Sequence, residues 1–464
     1  MSHKGDSMSE YITQPAREAT GAATQPAREA NIQAIVDYIA AGAKAGPGKL
    51  GIELEQHIVH ADDLGPVAYD DAFGSRWILE QYTAPVCESA GQATYTPDGD
   101  LIGAVWPTAT LTLEPAAQLE LSAGPFSRLA DASAMLSAFA GQLEALLAPH
   151  GLRAIPVGYH PSARATDLHL IPKQRYDFMN HYLSAVSPYG PCMMRGSAST
   201  QISIDFADEA DCVRKMRLAD LCVPLFSLIC DNSPIFEGEP AAIHLPRTLI
   251  WRHLDPARSG IAAGSAEEGF SWRAYAEWIL GVPAIVAPGF AEVDSPHVTA
   301  RAARAEASPH VSENSGWHYD TRTFGEIYAD EPMTQADVEH ALSMVFPDVR
   351  LKRYLEIRPA DSLPAEHAVA FAALVKGLFS EEGALAGMEE LFAGLGHADI
   401  EEAKTALMAD GYEACVYGRP AGELADALFA LSRAGLGDEA AYLEPLEELV
   451  QARLTPAEVG IVKL

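Results

Sequence analysis

The amino-acid sequence predicts an α+β fold in which one sheet has an apolar face and an acidic face and helices lie around it. Three observations carry this. Four stretches alternate apolar and polar residues with the period of two that sends successive side chains to opposite faces of a strand: residues 50–59, 111–124, 201–206 and 350–359. In all four the polar positions hold carboxylates or groups that pair with them, namely Glu53 and Glu55, Gln118 and Glu120, Gln201 with Ser203 and Asp205, and Tyr354, Glu356 and Arg358. Between and after these stretches run segments with helical spacing, and beyond Pro364 the chain is rich in Ala, Leu and Glu to its end.

Taken in order, residues 1–30 carry a duplication, TQPAREA at 13–19 and again at 24–30, and read as a flexible arm. Helical spacing begins at Asn31, placed as a cap, and runs to about residue 45. AGPGKL at 45–50 is a turn and not a phosphate loop, because its glycine spacing is wrong and Leu50 stands where Ser or Thr would meet magnesium. The strand 50–59 follows. Residues 61–110 are loop-rich with a turn at 95–100, and residues 104–113 read as strand. After the acidic strand 111–124 come a helix over 131–147 and a buried strand over 152–159. The strand from Gln201 leads to a helix over 209–230 that stops at DNSP. Residues 243–260 form a basic island holding Arg247, Trp251, Arg252, Asp255 and Arg258; such an island either neutralises nearby acids or binds an anion. Residues 286–320 lack periodicity and read as loop or lid. The domains expected are the arm at 1–30, a catalytic domain at 31–365, and a helical region at 366–464 packed on it.

Composition narrows the function. With 464 residues and 48% hydrophobic content there is material for a large core. No apolar run approaches the ~20 residues of a membrane span, and the first 20 residues lack the apolar core of a secretory signal. Six cysteines without a CxxC suggest reduced thiols in the cytoplasm and give no zinc site. Cys212, Cys222 and Cys230 fall on helical faces and read as small buried hydrophobes. A net charge of -32 excludes nucleic acid and anionic membranes as partners.

If the four strands share a sheet, its polar face gathers Glu53, Glu55, Glu120, Gln201 and Glu356, with Gln118 and Arg358 beside them. Carboxylates so crowded repel unless cations sit between them. Oxygen ligands without a Cys or His cluster point to Mg2+ or Mn2+, and magnesium held by a few carboxylates takes remaining ligands from phosphates. The chemistry expected is phosphate transfer without a phosphate loop. Any one of these strands alone would suit an exposed surface with ordinary ion pairs; the recurrence carries the functional reading.

GIELE at 51–55, LEPAAQLELSAGP at 113–125, PKQRYD at 172–177, TQISIDF at 200–206, NSP at 232–234, PRTLIW at 246–251 and FPDVRLKRYLEIRPAD at 346–361 together resemble the plant and proteobacterial type of glutamate–cysteine ligase. The resemblance implies a curved, mostly antiparallel sheet forming a funnel, like the catalytic domain of glutamine synthetase. It implies that ATP phosphorylates the γ-carboxylate of glutamate and that the amine of cysteine attacks the acyl phosphate, feeding glutathione or a related thiol. Glu53, Glu55, Glu114, Glu120, Gln201 and Glu356 would hold Mg2+ or Mn2+. Arg247 would pair with the glutamate carboxylate and Arg358 would act on the transferring phosphoryl group with Glu356. Gln118, Trp251 and Arg195 would contact substrate, and Lys173 and Arg175 the ATP. The chain departs from the family pattern at Ala116 and Ala117, where the family has two glycines, and at Ser203, where it has Asn. Arg195 is one residue out of register. Two alternatives remain: a ligase of the same fold that joins glutamate to another amine, and a non-catalytic homologue that binds metal or nucleotide. A monomer or homodimer is expected.

Overall fold

Alternation of the kind seen in the sequence builds one nine-stranded antiparallel sheet in the computed structural model, which describes residues 25–46, 48–84, 91–288 and 317–464. Its strands are β1 (Leu50–His60), β2 (Gln92–Tyr95), β3 (Leu101–Trp106), β4 (Ala109–Leu113), β5 (Leu119–Phe126), β6 (Leu152–Ile155), β7 (Thr200–Ile204), β8 (Val349–Leu351) and β9 (Leu355–Ile357). They lie in the order β8-β9-β7-β1-β5-β4-β3-β2, with β6 paired to the far end of β1.

One face is apolar. Ile52, Leu54, Leu119, Leu121, Ile202, Ile204, Leu355 and Ile357 are all buried on it. Helices cover that face: α2 (Leu129–Leu147), α4 (Glu209–Ile229) and α6 (Ala365–Ser380), with α6 against α2, β1 and β7 and α4 against β8 and β9. Asp208 caps α4 by accepting from the Asp211 amide at 2.9 Å, and its helical stretch ends at the expected stop. The site is further framed by α1 (Gln25–Ala40), α3 (Gln174–Val186), α5 (Pro246–Arg252) and α7 (His397–Asp410). Cys212, Cys222 and Cys230 are fully buried on α4 and just past its end, and the five described cysteines are all free; Cys87 lies outside the described residues.

Several expectations are corrected. Residues 111–124 are not one strand: β4 and β5 form a hairpin through a turn at 114–118. In that turn Ala117 has φ 69°, the left-handed region that favours glycine, at the place where the family pattern has glycine. Residues 350–359 are likewise a hairpin, β8 and β9, and residues 104–113 belong to the hairpin of β3 and β4. Helix α1 starts at Gln25, so most of the second TQPAREA copy is helical; the first copy lies outside the described residues. Asn31 is inside that helix and not its cap. Its side chain accepts from the Met333 amide (2.7 Å) and donates to the Tyr328 carbonyl (2.8 Å). Of residues 286–320, the ends belong to two paired strands, Pro283–Pro288 and Trp317–Thr323, and 289–316 lie outside the described residues.

Candidate active site

Register builds the site. β1 lies between β5 and β7, so Glu53 stands opposite Ser122 on one side and Gln201 on the other, and Glu55 opposite Glu120. Residues directly opposite in an antiparallel pair share a face. One carboxylate oxygen from each of Glu53, Glu55 and Glu120 lies within 4.8 Å of the others. Neighbouring strands hold them: Thr112 Oγ1 donates to Glu120 at 2.7 Å, and Ser122 Oγ lies 3.3 Å from both Glu53 and Glu120. Glu55 accepts from the Ser199 amide at 2.6 Å and from Gln201 Nε2 at 3.1 Å. Glu114, in the turn, shares a hydrogen bond with Glu120.

Crowding raises these acids. Burial, then Glu120 and Glu356, pushes Glu53 up to about 8, and burial, then Glu53 and Glu120, does the same to Glu55. Burial, then Glu55, lifts Glu114 to about 7; burial, then Glu114, lifts Glu120 to about 7. Carboxyls in this state keep protons near neutral pH unless a cation replaces them. An all-oxygen set of this charge fits Mg2+ or Mn2+.

The sign of the linkage follows. A carboxyl whose folded value lies above its ordinary 4.5 stabilises the fold most below 4.5, and that contribution is lost as pH rises through 7 to 8. Metal-free protein is therefore expected to lose Tm as pH rises across that window. Asp220, also raised to about 8 by burial, acts in the same direction, so the diagnostic quantity is the rise in Tm on adding Mg2+. That rise should be larger at about pH 8 than at about pH 6, because fewer protons are displaced. Scanning fluorimetry measures it, and equal rises at both would show that the ion does not bind these carboxyls.

Beside the three glutamates sits a cationic group that organises around Glu356. This carboxylate, 2% exposed, accepts from Arg350 Nε at 2.6 Å, Lys352 Nζ at 3.0 Å and Arg358 Nη1 at 3.0 Å. Burial alone would raise it, but Arg350, Lys352 and Arg358 hold it well below the usual range. Arg358 also donates to Gln201 Oε1, so Gln201 bridges Arg358 to Glu55. Three cations against one carboxylate leave positive charge facing the acidic triad.

Past Arg358 a pocket opens, lined among others by Arg247, Trp251, Arg252, Asp348, Arg358 and Lys404. Arg247 donates through Nη1 to the Ala360 carbonyl (2.9 Å) and to Asp361 (3.3 Å). Its Nε and the Trp251 Nε1 are buried donors that meet no acceptor. The Trp251 ring lies 5.7 Å from the Arg358 guanidinium. Unanswered N–H groups beside guanidinium suit an anionic ligand.

The structure thus gathers Glu53, Glu55, Glu120, Glu114 and Gln201, and separately Arg247, Trp251 and Arg358. Four placements differ from expectation. Glu356 lies outside the group of three and is occupied by cations, which makes it the counter-ion of Arg358. Gln118, just before β5, donates to the Arg195 (3.1 Å) and Ser197 (3.0 Å) carbonyls and accepts from the Ala116 amide (2.8 Å). Its amide is used up in fastening the turn, because β5 starts only at Leu119 and parity does not carry back to it. Arg195 holds Asn180 and the Leu168 carbonyl, away from the triad. Lys173 meets the Tyr176 hydroxyl at 3.2 Å and feels Glu114, whereas Arg175 is turned to the Ser343 carbonyl. Arg350 and Lys352 were missed; Arg350 stands opposite Glu356 across the hairpin and shares its even numbering, whereas Lys352 lies in the turn, where parity gives no direction. In the basic island, Arg258 is fully buried against Asp255 and Arg252 pairs with Glu401, so those two neutralise acids.

Several known proteins are similar to this chain. The chain is 27% identical over 463 residues to a chloroplastic glutamate–cysteine ligase of Arabidopsis thaliana, covering 98% of this chain and 83% of that one. It is 26% identical over 450 residues to the chloroplastic glutamate–cysteine ligase B of Oryza sativa, covering 96% and 85%. In fold it is similar to the crystal structure of the glutamate–cysteine ligase of Francisella tularensis in complex with AMP, with a TM-score of 0.50, 12% identity, and 90% and 85% of the two chains covered. The model of glutamate-cysteine ligase family 2 matches residues 49–458, which takes in every strand of the main sheet and helices α2 to α7, and the chain belongs to that family.

Proposed function

We propose that the chain uses ATP to join the γ-carboxylate of glutamate to the amine of L-cysteine through a γ-glutamyl phosphate, releasing γ-glutamylcysteine, ADP and phosphate. The observation that carries this reading is the acidic triad of Glu53, Glu55 and Glu120 set against the Arg350, Lys352 and Arg358 group in a member of this family. Glu53, Glu55 and Glu120 would hold Mg2+ or Mn2+, with Glu114 and Gln201 supporting them. The ion supplies charge neutralisation for the phosphates of ATP. Arg358, fixed by Gln201 and Glu356, would meet charge that develops on the transferring group, and a guanidinium placed in advance needs no reorganisation to do so. Arg247 Nε and Trp251 Nε1 would donate to a carboxylate of the amino-acid substrate, and Lys173, whose charge acts on Glu114, would meet the nucleotide phosphates.

The proposed compartment is the cytoplasm, which the free described cysteines support, and a monomer or homodimer is the proposed assembly. No helix among the described residues is long and apolar enough to cross a membrane. The reading is tested by phosphate release from Mg-ATP with glutamate and a panel of amines. Cysteine is expected to give the highest kcat/KM, with no release unless acid and amine are both present. A different best amine would replace cysteine as acceptor, and a chain that turns over none would remove the ligase reading.

A further inference from the structure

The last hundred residues carry no sequence motif, yet one side chain from them lines the pocket beside Arg358. Lys404 of α7 is 2% exposed and donates to Asp348 at 2.7 Å and to Glu401 at 2.9 Å. A lysine buried this deeply is retained only when its charge is answered. Glu401 also pairs with Arg252 at 2.8 Å, so charges alternate along a continuous chain: Arg252, Glu401, Lys404, Asp348. Its two ends matter for the site. Arg252 belongs to α5, the helix that presents Arg247 and Trp251 to the pocket. Asp348 lies in the segment entering β8, where its amide donates to the Gly260 carbonyl (2.8 Å) and its own carbonyl accepts the Arg358 amide at 3.0 Å. Lys404 therefore stands between the helix that would bind the acid substrate and the backbone bond that fixes where Arg358 begins. Asp220, fully buried on α4, is close enough to act electrostatically on both Lys404 and Asp348, so Lys404 answers more than one acid.

We propose that Lys404 is a positioning residue of the active site: it ties the C-terminal helices to the segment that sets Arg358 over Gln201 and Glu356. This rests on the ligase reading for its catalytic consequence but not for the tie itself. The Lys404 amine is taken up by Asp348 and Glu401, so its effect passes through Asp348, and misplacing a catalytic group by about 1 Å can cost ~100-fold in rate.

Lys404→Met alone leaves the part-buried Asp348 and Glu401 without their lysine, with Asp220 nearby, and could simply unfold the chain. The informative variant is the double change Lys404→Met with Asp348→Asn, which removes the cation and one of its acids together. In the full-length protein this variant is expected to stay folded and to bind Mg-ATP with unchanged KM. Its kcat for glutamate and cysteine should fall about tenfold or more, and amide exchange across residues 346–361 should speed up while that across 50–60 stays unchanged. Lys404→Arg, which keeps the charge, should recover much of the kcat. A folded double variant with the parent kcat and the parent exchange pattern would overturn the proposal. A parent chain without turnover would sink the ligase reading, and the exchange pattern would then decide the tie between Lys404 and Arg358.

Discussion

Glu120→Gln is expected to abolish most turnover, by about 100-fold or more, while leaving the protein folded. The change keeps the size and the hydrogen bonds offered by Thr112 and Ser122 but removes one of the three carboxyls whose oxygens lie within 4.8 Å. Affinity for Mg2+ should fall at least about tenfold, since disturbing even the partners of metal ligands costs ~10 to 100-fold. The metal-free protein should be as stable as the parent or more so, because Glu120 raises both Glu53 and Glu55. The signature is thus a normal or higher Tm without Mg2+, a lost rise on adding it, and lost kcat. A variant that keeps both turnover and the Mg2+-induced rise would show that the triad is an ordinary acidic surface.

Arg358→Ala should cost about 100 to 1,000-fold in kcat, ~3 to 4 kcal/mol of transition-state stabilisation, the scale for losing one placed charge contact. The KM for glutamate should change much less. Glu356 retains Arg350 and Lys352 after the change, so the hairpin of β8 and β9 should persist. Arg358→Lys should rescue only partly, because Nη1 alone holds Gln201 and Glu356 while the guanidinium faces Trp251, and a lysine has no second planar nitrogen to offer the transferring group. Steady-state kinetics with circular dichroism as a check on folding measures both variants. A rise in KM with kcat intact would move Arg358 from the phosphoryl group to simple substrate binding.

The acidic face was legible because side-chain parity survives folding: Glu53, Glu55, Glu120 and Gln201 meet across β1, β5 and β7 as their alternation requires. The turns were not. Pro115 was the one strong breaker between β4 and β5, and Ala117 occupies a left-handed conformation that a glycine would have announced. Between β8 and β9 the residues Lys352, Arg353 and Tyr354 carry no turn signal at all. Mistaking the β4–β5 hairpin for one strand gave Gln118 a direction it does not have, whereas Glu356 keeps the face it shares with Gln201 and Glu53 and there meets Arg350, Lys352 and Arg358. Lys404 was beyond reach for a different reason: its partner Asp348 is 56 residues away, and a lysine among helical Ala, Leu and Glu looks solvent-facing. Parity encodes facing within a sheet, whereas contact between a distant helix and a segment entering a strand has no local signature.

The central claim, transfer of the γ-phosphoryl group of ATP to the γ-carboxylate of glutamate, is tested most directly by atom tracing. Glutamate carrying heavy oxygen in its γ-carboxylate is turned over with Mg-ATP and cysteine, and the released phosphate is weighed by mass spectrometry. Passage through a γ-glutamyl phosphate leaves one of the two carboxylate oxygens in the phosphate and the other in the new amide. One heavy oxygen per phosphate released is the expected result; phosphate free of label, alongside product formation, would contradict it.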